Sequence, residues 1–342
     1  MKVAMLEAPH RIVMQEMDGL RPGPAEVLIR TKFAGVCGSD LHTFKGVHPF
    51  RKPPVVLGHE VAGTITEVGK DAAGFRVGDR VTVMPVVSCG TCRHCRAGDE
   101  HICPDKRVPG IRGWVGSFAE YFLADASVTY KLATGTPFET GALAEPLAVA
   151  VHSVFRRGRV RAGDRVLILG AGTIGILTAF AARMAGASDI VVTDVFDFNL
   201  RLARDLAGAQ GHNAKQPELE AAILAQQPEK FDVTFLCSSA AVTVAQAFTL
   251  TRRGGRIVVT GLFHAPIPTD LNGISLNEFE VVGSVIYTHE DFKRAVEWVD
   301  TKGDMLRRVI THTLPLERAQ EALELLADHP QDVGKILLEV GK

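Results

Sequence analysis

The sequence predicts a β-rich half followed by an alternating α/β half built on a doubly wound parallel sheet. Three observations carry that expectation. Residues 1 to about 85 break into short β segments separated by Gly and Pro clusters. From about residue 145, apolar strand runs alternate with helix-forming stretches. A glycine-rich turn then sits where the first of those strands meets its helix.

The early strands are expected at 2–5, 12–15, 26–30, 61–68 and 79–83, with Arg21-Pro-Gly-Pro24 and Val77-Gly-Asp79 as breaks, the spacing of a barrel or sandwich. In the second half, Asp164 to Leu169 is an apolar strand, Gly170-Ala-Gly172-Thr173-Ile174-Gly175 the turn, and Ile176 to Ala185 a helix. Strands at 189–194, 231–236, 255–261 and 280–285, with a helix near 244–250, complete the sheet. Beyond about residue 289 come two amphipathic helices, 291–301 and 316–327, and a last strand, 335–340, expected to return to the first domain. The domain expectation is therefore 1–148, 149–288 and 289–342, with a cysteine lobe at 86–105 inside the first.

With 342 residues, each domain has ample chain for a core. Apolar and charged fractions of 46% and 23% are those of an ordinary globular protein, and a net charge of −1 gives no basic field for nucleic acid. No window approaches the roughly 18 apolar residues of a membrane span, and the first residues are charged too soon for a signal peptide, so a cytoplasmic protein is expected.

Four of the six cysteines, Cys89, Cys92, Cys95 and Cys103, form a Cys-x-x-Cys-x-x-Cys run, seven residues and a last Cys. So dense a cluster in a large chain without an export signal favours metal over disulfides. Four thiolates close a tetrahedral zinc shell, so this site is expected to be structural; an iron–sulfur cluster is the alternative. A second constellation is Cys37, the adjacent pair His59 and Glu60, and Glu145. Thiolate, imidazole and one carboxylate would complete a catalytic zinc that keeps one position open.

The glycine turn has a strand before it, a helix after it and Asp194 about 20 residues on, which together make a dinucleotide fingerprint. The glycines admit a pyrophosphate to the helix N-terminus, and Asp194 accepts from ribose hydroxyls while repelling a 2′-phosphate, so NAD is expected over NADP despite Arg201 nearby. Cys237, at a strand end, reads as a small buried residue, and Lys335 as a solvated strand end or a partner of a cofactor phosphate.

These motifs resemble the zinc-dependent medium-chain dehydrogenase/reductase superfamily over essentially the whole chain, and its polyol dehydrogenase branch in particular. Glu145, in Ala-Glu-Pro-Leu-Ala, stands where classical alcohol dehydrogenases have a third zinc-binding Cys. The resemblance implies a GroES-like β-barrel catalytic domain, a Rossmann domain and an active site in the cleft between them. It implies two zinc ions per chain, one catalytic on Cys37, His59 and Glu60 with Glu145 binding directly or through water. It also implies that Ser39 contacts the reacting alcohol, His42 provides the proton exit, Asp40 supports His59, and the protein is a homo-oligomer, tetramer or dimer. The implied reaction is NAD-linked oxidation of a secondary alcohol of a polyol to a ketone.

Mammalian sorbitol dehydrogenases carry a polyol-contacting arginine where Ile286 stands here, which weakens a claim for sorbitol itself. The rival readings are an L-threonine 3-dehydrogenase, although Pro146-Leu-Ala replaces that family's Pro-Phe-Gly, and a dehydrogenase of phosphorylated sugar alcohols. The second would use Arg51, Lys52, Lys106, Arg107 or Arg112, which read more simply as solvated. A zinc-finger-like binding protein is disfavoured by the missing basic face, and a redox-inactive NAD sensor is the remaining non-enzymatic reading.

Overall fold

A computed structural model of the chain describes residues 1–263 and 265–341. They form two compact units, Met1–Glu145 with Thr288–Lys342, and Pro146–Tyr287.

Strands are numbered along the chain. The first unit contains β1 (Lys2–Ala8), β2 (Arg11–Glu16), β3 (Glu26–Val36), β4 (Val55–Val56), β5 (Glu60–Val68), β6 (Arg80–Val83), β7 (Tyr121–Asp125), β8 (Thr129–Lys131), β15 (Ile310–Pro315) and β16 (Lys335–Glu339). One sheet has the order β15-β16-β3-β5-β6-β8, with β7 also on β3, and a small sheet has the order β2-β1-β4. The 11-residue β3 is the hub, because its length lets it pair with β5, β7 and β16 along different stretches. Late in the chain, the Ala319–Asp328 helix turns Ala319, Ala322 and Leu323, spaced i, i+3, i+4, into a core with Leu6, Phe44, Leu57 and Phe118. β16 then pairs antiparallel with β3, Ile336 opposite Val36, so the chain's last strand lies beside the stretch that leads into Cys37.

The second unit contains β9 (Arg165–Leu169), β10 (Asp189–Asp194), β11 (Gln210–Asn213), β12 (Phe231–Leu236), β13 (Thr251–Val259) and β14 (Glu280–Gly283). They form one sheet in the order β11-β10-β9-β12-β13-β14, with every pairing parallel. The apolar run 166–169 and the apolar residues of 231–236 are buried, as strands covered on both faces must be. The order reverses between β9 and β12, and in such sheets ligands bind beyond the strand ends at that reversal.

Two expected elements change length for visible reasons. The last strand of this sheet stops at Gly283, short of Val285, and Ile286 has φ +56°, a left-handed conformation no strand accommodates and a β-branched residue rarely adopts. The first C-terminal helix starts earlier than expected, at His289, where Thr288 and Asp291 form a capping box, and it continues to Leu306 across a kink at Lys302. Among the described residues no helix is long and apolar enough to cross a membrane.

Candidate metal centres and cofactor site

Cys37 lies at the N-cap of the short helix α1 (Gly38–Phe44), immediately after β3. His59 and Glu60 lie where the chain enters β5. Because β3 and β5 pair with Gly35 opposite Glu60, both segments arrive at one end of the sheet. Donor atoms of Cys37, His59 and Glu60 lie within 4.8 Å of one another. Gly35 is required there, since a Cβ at that position would overlap the Glu60 carboxylate.

Buried charges hold this cluster. Asp40 is fully buried, and its Oδ2 accepts from the Cys37 N–H at 3.1 Å. Its Oδ1 faces Arg51 Nη1 at 2.9 Å, the Gly58 N–H at 3.3 Å and His59 Nδ1 at 3.5 Å, the last too long for a well-formed hydrogen bond. Burial opposes ionisation of Asp40, but the charges of His59 and Arg51 outweigh it and hold the carboxyl well below the usual range. His59 is raised well above an ordinary histidine. Burial works against its charge, and Asp40 with the Cys37 sulfur more than offsets that.

Two expectations for basic residues are corrected here. Lys335 is neither a solvated strand end nor available to a cofactor phosphate. It is 3% exposed, and its Nζ donates to Glu60 Oε1 and Oε2 at 2.7 and 2.8 Å and to the Val36 carbonyl at 2.9 Å. Burial opposes its charge, but Glu60, Cys37 and Glu145 more than compensate and raise its pKa. Arg51, read as solvated, is 7% exposed and shares its two Nη groups between Asp40 and the Ser39 hydroxyl.

Glu145 is buried in the first turn of the Ala144–Val151 helix, outside the group of mutually close donors but near enough to act on Lys335. Ser39 and His42, three apart on α1, lie on one helix face. His152 is buried where that later helix passes into the π-helical His152–Gly158 stretch, consistent with a core residue.

The four lobe cysteines also converge, their sulfurs all within 4.8 Å of one another. Cys92 and Cys95 sulfurs are 3.4 Å apart, and Cys89 and Cys95 sulfurs 3.9 Å. These distances bracket the roughly 3.8 Å edge of a tetrahedron with metal–sulfur bonds of about 2.3 Å, and they far exceed a disulfide of about 2 Å. Thiolate character is favoured at Cys89, which Thr91 and the Cys92 N–H pull down to about 6. The lobe hangs on a neck of two backbone hydrogen bonds between Val87 and Arg107. Of its cysteines only Cys103 is buried.

In the second unit the glycine turn follows β9 and opens the Thr173–Met184 helix. A Cβ on Gly175 would strike the Gly170 carbonyl, whereas one on Gly172 would meet no protein atom. Gly175 thus serves helix–strand packing, and Gly172 leaves open backbone that a phosphate can approach. Asp194, ending β10, accepts the Ala171 N–H at 2.7 Å and the Phe196 N–H at 2.9 Å, one on each oxygen. The Asn199 side chain and the Val195 N–H also reach this carboxylate. Burial raises the pKa of Asp194, and these N–H groups work against that rise. Arg201 is exposed, 5.8 Å from the Phe198 ring. Burial pushes the Cys237 thiol up to about 12, which makes it a poor ligand or nucleophile.

The alcohol dehydrogenase GroES-like domain model matches residues 23–134, and the zinc-binding dehydrogenase model matches residues 173–301. The chain is 32% identical to an L-threonine 3-dehydrogenase of Deinococcus deserti over 335 residues, covering 96% of this chain and 95% of that one. It is 33% identical to sorbitol dehydrogenase 2 of Saccharomyces cerevisiae over 325 residues, 92% and 91% of the two chains. A putative zinc-binding dehydrogenase of Sinorhizobium meliloti 1021, bound to NADP, superposes with a TM-score of 0.93 at 31% identity, with 99% and 98% covered. An alcohol dehydrogenase of Escherichia coli CFT073 complexed with NADH gives 0.91 at 29% identity, with 99% and 98% covered. The chain therefore belongs to the zinc-dependent medium-chain alcohol dehydrogenase family, on its polyol-dehydrogenase-like branch. It is an oxidoreductase that uses zinc and a nicotinamide dinucleotide to act on a small alcohol.

Proposed function

We propose that this dehydrogenase oxidises a secondary alcohol of a polyol or sugar alcohol to a ketone with NAD. The observation that carries the reading is the convergence of Cys37, His59 and Glu60 beside α1, the helix that carries Ser39 and His42. Cys37, His59 and Glu60 hold the catalytic zinc, with Glu145 serving it directly or through water. Cys89, Cys92, Cys95 and Cys103 hold the structural one. Gly170, Gly172, Thr173 and Ile174 receive the pyrophosphate, Gly175 packs the turn against its strand, and Asp194 receives the ribose. A zinc ion held there would supply the positive charge that makes an alcohol hydroxyl acidic, and NAD held on the glycine turn would supply the hydride acceptor. Ser39 takes up the hydroxyl proton, and His42, on the next turn of α1, passes it outward.

Of the five cations proposed for a phosphorylated substrate, Arg51 is withdrawn into a buried ion pair with Asp40, while Lys52, Arg107 and Arg112 are exposed and Lys106 half-buried. We place the protein in the cytoplasm as a homo-oligomer, a tetramer or dimer. Exposed Val281 on the sheet-edge strand β14, with exposed Leu271 and Leu276 before it, supports a second copy covering that edge. Light scattering that returned a monomer would remove that part of the reading.

Assaying NAD reduction with sorbitol, butane-2,3-diol, galactitol and L-threonine tests the substrate class, and turnover with threonine alone would overturn it. Glu145→Ala is expected to abolish most activity while leaving NAD binding and the four-thiolate zinc in place. Asp194→Gly with an arginine added nearby is expected to shift preference toward NADP; an unchanged preference would mean the ribose site is misassigned.

A further inference from the structure

The geometry points to Arg51 as a positioning residue for proton release, acting through Ser39 and Asp40 without touching substrate. The inference rests on the reading that Ser39 takes the alcohol proton. A buried guanidinium needs a counter-charge, and Asp40 alone, at 2.9 Å from Nη1, provides it. The second arm of the fork is therefore available for another task, and Nη2 donates to Ser39 Oγ at 3.1 Å.

The chain invests in delivering this side chain. His48 Nδ1 accepts the N–H groups of Phe50 and Arg51, at 3.2 and 3.0 Å, which fixes the turn from which Arg51 projects. Burial, then Arg51 and His42, depress His48 to about 4, so the ring stays a neutral acceptor at ordinary pH. Gly110 gives the stem room, since a Cβ there would lie 2.6 Å from Arg51 Cδ.

Arginine is a donor only, so the Ser39 hydroxyl must accept from it, and the hydroxyl's own hydrogen must point elsewhere. One lone pair of Ser39 Oγ is thereby occupied, and the other is left for the alcohol's proton. The hydrogen Ser39 gives up departs on the side away from Arg51. In the same arrangement Nη1 pins the Asp40 oxygen that faces His59. One cation thus sets the direction of the proton hop and the place of the imidazole's partner.

A double-mutant cycle between Arg51→Lys and Ser39→Ala tests this. Lysine keeps a charge for Asp40 but lacks the fork that reaches both groups. R51K is expected to lower kcat by about 10- to 100-fold, the order of losing a charge-assisted hydrogen bond, with a larger solvent deuterium isotope effect on kcat. The KM for NAD, zinc content and Tm should stay near those of the parent. In the Ser39→Ala background the same change should cost less than about twofold, because its route of action is gone. An equal loss in both backgrounds overturns the inference and leaves the Ser39 reading intact. A Ser39→Ala variant with parental kcat overturns the Ser39 reading, and this inference with it. Should R51K fold poorly, the neutral pair R51Q/D40N, which leaves no unpaired charge between positions 40 and 51, takes its place in the cycle with zinc content measured alongside. An equal loss in both backgrounds again overturns the inference, and a loss confined to the Ser39 background supports it.

Discussion

At Cys37, His59 and Glu60 the donors are fixed by charges the protein itself supplies. At Cys89, Cys92, Cys95 and Cys103 they are held mostly by one another. The first cluster rests on a network of Asp40, Arg51 and Lys335, each under 10% exposed, anchored to β3, β5 and β16. The second sits on a loop with a two-hydrogen-bond neck and one buried cysteine. A site that must exchange ligands during turnover needs a frame independent of the ion, whereas a site that only closes a loop can let the ion be the frame.

The largest effect should come from testing that contrast directly. Cys103→Ser is expected to cost the lobe its metal, an ion worth about 10–16 kcal/mol in small thiolate sites, and to expose residues 88–106 to proteolysis. Cys37→Ser should abolish activity while leaving the melting curve close to that of the parent. Equal destabilisation by the two variants would erase the distinction.

Next in size is Lys335→Met, which in the metal-free protein strands the fully buried Glu60 without its counter-ion and should cost about 3–5 kcal/mol in denaturant titrations. Adding Glu60→Gln should recover most of that stability but not the activity. If the single variant melts like the parent, the network is not the frame described here.

The dinucleotide turn, the cysteine run and the Gly-His59-Glu60 motif were legible because each is local: a few consecutive residues carry both the shape and the chemistry. Lys335 and Arg51 were misread because their partners are distant in sequence, and composition alone assigns a lysine or arginine to solvent. Two signals were nonetheless present. Lys335 heads a strand that continues Ile-Leu-Leu before Glu339, and a charge just ahead of that apolar run points to something buried that answers it. Gly35 lies in a strand interior, where glycine often marks the close approach of another group, here Glu60. Ile286 ends its strand through a backbone angle that no apolar pattern announces.

A smaller effect concerns chelation. A mild chelator should strip activity first and leave the fold, since an open coordination position exchanges through its water, and unfolding of the lobe should follow only under harsher treatment. Unfolding that precedes inactivation would reverse the assignment of the two sites.

The smallest effect is a pH slope from His48, which faces Arg51, His42, Asp40 and Lys52. Unfolded, it binds a proton below about 6.5; folded, only below about 4. Its contribution to stability is thus complete above the unfolded value and declines as pH falls through that window. Subtracting the melting profile of His48→Asn from that of the parent between pH 7 and 4.5 should reveal the slope, and a flat difference would rule it out.

The Lys335–Glu60 pair joins positions 275 residues apart. During synthesis at about 5–20 residues per second, the ribosome needs roughly 15–55 s to make the chain between them. Throughout that interval the nascent first unit has its glutamate but neither the lysine nor β16, the strand that lines up beside β3. The frame of the Cys37 cluster is therefore the last part of the sheet to close.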